Sequence, residues 1–97
     1  MSTLHVLSHS PFGDDRLSSC LRVIGANDAL LLTGDAVYAL QPGTAPFNAL
    51  NARAPRLFVL TEDAQARALD IPGTAKGIDY PAFVELSLHY DKVNSWL

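Results

Sequence analysis

Short apolar runs alternate along the chain with segments in which apolar residues recur every three or four positions. The clearest case is residues 28–40, where the unbroken run Ala29–Leu32 meets Gly34 and Asp35 and a short helical pattern follows. A strand that is apolar on both faces must be covered on both sides, which is typical of a parallel sheet between layers of helices. The pattern therefore predicts an α/β fold, a three-layer sandwich around a mainly parallel sheet of four to five strands.

The predicted strands and helices follow each other with short connections. Strands are expected over residues 4–7, 29–32, 57–60 and 75–78, and helices over residues 16–24, 36–40, 47–52, 62–69 and from Pro81 onward. Thr61 is the expected cap of the helix that runs to about Leu69, and Asp79 or Tyr80 that of the last helix. Residues 93–96 form either a fifth strand or a tail that contacts a partner, and the pattern leaves both open. Ligand chemistry is expected in the loops at 8–14, 33–35 and 61–63, because it gathers at the carboxyl ends of parallel strands.

The composition favours one small domain, residues 1–97, that binds other chains. Of the 97 residues, 48% are apolar and 18% are charged, and such an apolar surplus indicates surface that a partner covers. The net charge of −3, with seven Lys and Arg residues, argues against direct binding of nucleic acid. The sequence shows neither a signal-peptide pattern nor an apolar run of about 20 residues, so we expect a cytoplasmic protein with no membrane role.

Cys20 is the single cysteine of the chain and the candidate sulfur carrier. A cysteine carries sulfur as a thiolate, which requires exposure and a lowered pKa, and Arg16 four residues earlier on the same helix would favour the thiolate. Cys20 also shares the apolar stripe of Leu17, Leu21 and Ile24. The alternative is therefore a packed or interface cysteine, since apolar neighbours raise the pKa of a thiol.

His5, His9 and Trp96 are the other side chains that stand out. His5 and His9 are four residues apart on and after the first strand, which separates them by about 13 Å and favours ordinary hydrogen-bonding roles over a shared metal. His9 lies in the exit loop, where it is a candidate for a proton transfer or for a contact at a subunit boundary, and the alternative is an exposed loop histidine with neither role. Trp96 is expected either to dock against its own sheet or to anchor a neighbouring subunit.

Carboxylates follow the second and third strands, at Asp35 and at Glu62 and Asp63. Such positions suit acid–base or magnesium chemistry, but helix capping explains them more simply. The chain shows neither a Ser-His-Asp spacing nor a glycine-rich phosphate loop. We therefore expect no cofactor, no metal and no self-sufficient active site.

Several segments together resemble the TusB/DsrH family of DsrE-like sulfur-relay proteins. They are residues 4–12 (LHVLSHSPF), 28–40, 57–69 and 80–84 (YPAFV), together with the terminal Trp96. The resemblance implies a DsrE-like fold with flavodoxin-like topology. It also implies a subunit of a cytoplasmic heterohexamer, built from two copies each of three related chains, that passes persulfide sulfur between proteins.

The resemblance further implies the partners and the pathway. The sister subunits would be of the TusC and TusD type or the DsrF and DsrE type, and a protein of the TusE or DsrC type would accept the sulfur. The leading function is 2-thiolation of the tRNA wobble uridine, in which a sister subunit holds the acceptor cysteine. One alternative is a DsrH-type subunit of a sulfur-oxidation relay that uses Cys20, and another is a stand-alone flavodoxin-like ligand-binding domain. The chain is thus expected to be a non-catalytic or sulfur-carrier subunit of a sulfurtransferase complex.

Overall fold

The computed structural model describes residues 1–96, which form five strands with helices on both sides. The elements in chain order are β1 (Thr3–Leu7), α1 (Arg16–Val23), β2 (Ala29–Leu32), a 3₁₀ helix (Gly34–Leu40), α2 (Ala45–Arg53), β3 (Arg56–Leu60), α3 (Thr61–Ala66), β4 (Ala75–Ile78), α4 (Tyr80–Ser87) and β5 (Lys92–Trp96). The four predicted strands are present, and the C-terminal segment is a fifth strand. The third α-helix ends three residues earlier than the predicted Leu69, and Ala68 beyond it has a left-handed backbone with φ of 54°.

All five strands are parallel and lie in the order β4-β3-β2-β1-β5. This confirms the predicted α/β class and the parallel sheet. The order differs from the 2-1-3-4-5 arrangement of flavodoxins, because here β2, β3 and β4 are added one after another on the same side of β1. Only β5 returns past β1 to the opposite edge.

This strand order distributes the helices unequally between the two faces. Right-handed crossovers that step in one direction place their helices on one face, and the single return step places α4 on the other. The larger core accordingly joins Leu30 and Leu32 of β2 to residues of α1, α2, α3 and the 3₁₀ helix. The smaller core joins Ala29 and Leu31 to residues of α4. All four residues of β2 are fully buried, as the unbroken apolar run predicts.

The α4 face is the thinner of the two layers. All eight residues of α4 remain at least partly exposed, although Phe83 and Leu86 pack against the smaller core. Tyr80, Val84 and Leu88 follow at intervals of four residues along α4 and its C-cap position, and their exposed fractions are 58%, 51% and 80%. We call these three residues the α4 stripe. Part of the apolar surplus in the composition therefore lies on one outward helix surface.

The helix ends show which predicted caps form. Asp79 caps α4, because its Oδ1 accepts a hydrogen bond from the backbone N–H of Ala82 at 2.9 Å, as predicted. Thr44 caps α2 by accepting from the N–H of Phe47 at 3.4 Å. The prediction for Thr61 was wrong, since Thr61 is the first residue of α3 and Leu60 occupies the cap position.

Helix α1 is held at both ends by side chains. At its start, Oδ1 of Asp14 accepts from the backbone N–H of Arg16 at 3.0 Å, while Asp15 occupies the N-cap position. At its end, Arg53 of α2 donates from Nε to the carbonyl of Leu21 at 2.9 Å and from Nη2 to the carbonyl of Ile24 at 2.6 Å. A guanidinium at a helix C-terminus satisfies carbonyls that have no partner within the helix and complements the negative end of the helix dipole.

Candidate functional site

The loops after β1 and β2 meet at the carboxyl edge of the sheet. Thr33 donates from both its backbone N–H and its Oγ1 to the carbonyl of Leu7, each at 2.9 Å. Gly34 follows with φ of +50°, and a Cβ added there would lie 3.2 Å from the carbonyl oxygen of Ser8. The left-handed backbone and the close approach both favour glycine at this position. The edge expected to carry ligand chemistry is therefore tightly closed between β1 and β2.

The carboxylates at this edge are occupied by bonds within the protein. Oδ2 of Asp63 accepts from the N–H of Gly34 at 2.8 Å, which ties α3 to the start of the 3₁₀ helix. Oδ1 of Asp35 accepts from Nε and Nη2 of Arg67 at 3.1 and 2.9 Å, and the same guanidinium lies 5.8 Å from the ring centroid of Tyr38. The capping prediction for Asp35 was wrong, because Thr33 occupies the cap position and the ion pair with Arg67 holds the Asp35 carboxylate. Within residues 1–96, no three His, Cys, Asp or Glu side chains are grouped so that they could hold a metal ion.

Cys20 lies on the inner face of α1 and is 0% exposed. Burial, with a smaller contribution from the nearby charge of Asp28, raises the pKa of its thiol to about 12. Both conditions oppose thiolate chemistry in this conformation, since a reactive thiol needs access and a low pKa. The geometry favours the packed-cysteine interpretation, and the carrier role of Cys20 stays a prediction.

Arg16, which the sequence offers as an activator of Cys20, forms an ion pair with Asp14. The backbone N–H of Arg16 and then its charge lower the pKa of the Asp14 carboxyl, so that the carboxylate stays charged beside the guanidinium. The guanidinium of Arg16 therefore contacts the carboxylate of Asp14, in the loop that follows β1. The thiol of Cys20 lies one turn further along, among Leu17 and Leu21 of the larger core.

His9 is exposed in the loop after β1, next to Ser8. Its Nδ1 lies 3.5 Å from Oγ of Ser8, the outer limit of a hydrogen bond. This places His9 on the surface of the carboxyl edge, where a contact with another chain is sterically open. Its role at a subunit boundary stays a prediction.

Trp96 packs partly against the larger core of its own chain and bonds to His5. Its indole Nε1–H donates to Nδ1 of His5 at 3.1 Å, and Nε2 of His5 lies 3.2 Å from Oδ2 of Asp28. The default expectation for His5, an ordinary hydrogen-bonding histidine, is confirmed. Asp28 is the residue that the sequence reasoning missed: it also accepts from the N–H groups of Thr3 and Gly25 at 2.9 and 2.8 Å.

An open groove of about 640 Å³ lies between the N-terminal ends of α1 and α2. Its lining is mainly apolar and consists of Pro11, Phe12, Leu17, Ser18, Thr44, Ala45, Pro46 and Ala49. Phe12 is 57% exposed at its rim. None of these eight lining residues carries a titratable side chain.

Comparison with known proteins shows the family of the chain and agrees with its fold. A sequence model of the family described as "DsrH like protein" matches residues 9–93. "Protein TusB" of Erwinia tasmaniensis is 39% identical over 95 residues, which cover 96% of this chain and 99% of that protein. "Protein TusB" of Yersinia enterocolitica is 37% identical with the same coverage. The crystal structure of the ychN protein from E. coli superposes with a TM-score of 0.75 over 99% of this chain and all of that chain, at 18% identity.

Proposed function

The chain belongs to the DsrH-like family, and we propose that it is a subunit of a sulfur relay that supplies 2-thiolation of the tRNA wobble uridine. Relatives named Protein TusB, at 35 to 39% identity over 95 residues, support the tRNA branch. The chain acts as one domain, residues 1–97, inside a cytoplasmic heterohexamer with two related α/β subunits of the TusC and TusD type. No helix of residues 1–96 is both long and apolar enough to span a membrane.

The observation that carries this proposal is the exposed α4 stripe. Three large apolar side chains on one helix surface lose contact with water when another chain covers them, and each fully buried side chain of this size contributes about 1.5–3 kcal/mol. The chain needs such a partner for chemistry as well, because its only thiol is buried. We propose that a sister subunit packs on the α4 stripe and that a cysteine of a sister subunit carries the sulfur in transit.

The transfer step itself requires one exposed thiolate at a time. The acceptor thiolate attacks the outer sulfur of the donor persulfide, a new S–S bond forms, the old S–S bond breaks, and the donor leaves as a thiolate. The exchange consumes neither an oxidant nor a reductant. In this proposal the present chain shapes the surroundings of that step, and a protein of the TusE type takes the sulfur from the complex.

The alternative function, a DsrH-type subunit of a sulfur-oxidation relay with DsrE, DsrF and DsrC type partners, is favoured by the presence of Cys20 itself. The residue lies on the first helix, where the family resemblance implies a sulfur-carrying cysteine. For this function α1 must open far enough to expose the thiol. The stand-alone flavodoxin-like domain receives no such support, since the strand order differs from that of flavodoxins.

Co-expression with the two sister genes tests the interface. We expect the tagged chain to capture both sister subunits. Val84→Asp should reduce that capture at least tenfold, because it places a charge in the centre of the α4 stripe, which the sister subunit buries in the complex. Val23→Asp is the matched control, since Val23 is 63% exposed on α1, on the opposite face of the sheet, and its change should leave capture intact. Isolation of the unmodified chain as a lone monomer under these conditions contradicts the proposal.

Cys20→Ala separates the two branches. With a sister subunit as carrier, the variant assembles and passes ³⁵S-labelled sulfur to the acceptor at the unmodified rate. With Cys20 as carrier, assembly persists but transfer of the label stops. The same complex therefore distinguishes loss of an interface from loss of a sulfur-carrying residue.

A further inference from the structure

His5 is 5% exposed, and each of its two ring nitrogens has a hydrogen-bond partner within the protein. Nδ1 faces the indole Nε1 of Trp96 at 3.1 Å, and Nε2 faces Oδ2 of Asp28 at 3.2 Å. An indole N–H can only donate, and a carboxylate can only accept. The hydrogen-bond network therefore assigns the single proton of a neutral His5 to Nε2 and leaves Nδ1 as the acceptor.

Asp28 is fixed as the acceptor of this network. Its carboxylate accepts from the backbone N–H of Gly25 at 2.8 Å and from that of Thr3 at 2.9 Å, in addition to His5. These hydrogen bonds, that from Gly25 first, lower the pKa of Asp28, so that it remains a carboxylate under mildly acidic conditions. The imidazole of His5 thus lies between the Asp28 carboxylate on one side and the Trp96 indole on the other.

Strand β5 pairs with β1 from Lys92 to Trp96, and Trp96 adds a side-chain anchor at its C-terminal end. Its first residues are tied down by the backbone, since Lys92 N–H donates to the carbonyl of Ser2 at 3.1 Å and Ser2 N–H donates to Asp91 at 2.9 Å. The side chains of residues 92–95 are exposed, and only Trp96 reaches into the protein. Because β5 pairs with β1 alone, at the edge of the sheet, the Trp96 indole is the side chain that fastens its end.

We propose that His5, Trp96 and Asp28 form a proton-sensitive lock on the C-terminal strand. Neutral His5 accepts the hydrogen bond from the Trp96 indole at Nδ1, and this bond keeps the lock closed. A second proton enters at Nδ1, where it turns the acceptor into a donor, faces the indole N–H directly and removes the hydrogen bond. The resulting imidazolium keeps its bond to Asp28, so the proton releases Trp96 and leaves the attachment of His5 to Asp28 in place.

Among residues 1–96, few other groups that titrate surround His5. Asp28 lies on the β2 side, and its carboxylate is near enough to the Cys20 thiol of α1 to contribute to the raised pKa of that thiol, which stays neutral. Asn94 of β5 and Leu30 of β2, which are paired with His5 in the sheet, are uncharged. The remaining histidines of the chain, His9 and His89, are exposed.

The single tryptophan gives a direct test by NMR. In ¹H–¹⁵N spectra of the full chain, Trp96 contributes one indole N–H signal. Between pH 8 and pH 5, the range in which histidines change charge, we expect this signal to shift with the same midpoint as the His5 ring. We also expect the protection factor of the indole proton, its intrinsic exchange rate at each pH divided by the measured rate, to fall at least tenfold. The amide signals of β2 should stay in place, which separates opening of the lock from unfolding.

His5→Gln removes the titrating group and keeps a side chain that can accept from the indole and donate to Asp28, so the indole shift with pH should vanish. The double variant His9→Gln and His89→Gln should retain it. Where His5→Gln does not fold, the ¹⁵N ring shifts of the unmodified chain decide, since they must show an unprotonated Nδ1 at pH 8. An indole signal that stays fixed to pH 5, that moves with another midpoint, or that still moves in a folded His5→Gln chain overturns the lock. So does a proton on Nδ1 at pH 8.

Discussion

The reactivity of Cys20 is the property that this structure constrains most sharply. Burial raises the pKa of the thiol to about 12 from a reference value of 9.0. At pH 7 this lowers the thiolate population about a thousandfold relative to an unfolded chain, because each pKa unit is a factor of ten. A thiolate of higher pKa is intrinsically more nucleophilic, with a Brønsted slope of about 0.4–0.5, which returns a factor of roughly 15 to 30.

We therefore expect the native thiol to react with a disulfide reagent such as DTNB at least about 30-fold more slowly than the same chain in denaturant. The limited access of a fully buried sulfur lowers the rate further. The assay is the pseudo-first-order rate at pH 7, and as the chain has one cysteine it reports a single site. A native rate within threefold of the denatured rate refutes the packed-cysteine interpretation. Fast labelling only in the assembled complex would show that partners open α1 and would support the carrier role.

Three substitutions test the local packing through the melting temperature, for which 1 kcal/mol corresponds to about 4–8 °C in a chain of this size. Arg53→Met should lower the free energy of unfolding by about 1–2 kcal/mol, because two carbonyls at the end of α1 lose a charged donor. The control Arg56→Met, at an exposed position, should change it by no more than about 0.5 kcal/mol. Equal losses for the two variants would contradict the Arg53 hydrogen bonds. Ala54→Gly should raise the free energy of unfolding by about 0.5–1 kcal/mol, because Ala54 has a φ of 49°, a left-handed backbone that favours glycine. The control Ala52→Gly, inside α2, should lower it by about 1 kcal/mol. A loss at both positions would contradict the left-handed backbone of Ala54. Gly77→Ala should lower the free energy of unfolding by about 1–3 kcal/mol, because the new Cβ would lie 2.8 Å from Oγ1 of Thr61 and 2.9 Å from Cδ1 of Ile71. An unchanged melting temperature would show that these two side chains move aside.

Local sequence patterns were sufficient for much of the fold. The apolar run of β2 required burial on both faces, and the structure buries all four of its residues. Asp79, with Pro81 two residues later, predicted the start of α4, and both the cap bond and the proline in the first turn are present. In each case the signal and the structure it specifies lie within a few residues of each other.

Long-range contacts decided what the local pattern left open or assigned wrongly. Strand β5 is formed by pairing with β1 about 90 residues earlier, which its polar sequence does not reveal. Asp35 resembles a helix cap, but Arg67, 32 residues away in sequence, takes its carboxylate. Asp28 accepts hydrogen bonds from Thr3 and His5. The only local signal of that role was the position of an acidic residue directly before a buried strand.

The candidate site shows the same division. The single cysteine could be found in the sequence, and its place in the stripe of Leu17 and Leu21 already indicated burial. The groove at the N-terminal ends of α1 and α2 could not be found, because it depends on how two helices pack. The uncovered α4 face also follows from strand order, since only the return from β4 to β5 places a helix on that side.

Hydrogen–deuterium exchange on the isolated chain and on the co-purified complex tests the central claim most directly, that a sister subunit covers the α4 stripe. We predict that amides of residues 80–88 exchange at least tenfold more slowly in the complex, while those of α2, on the other face of the sheet, change little. A complex in which residues 80–88 exchange as fast as in the isolated chain would contradict the account.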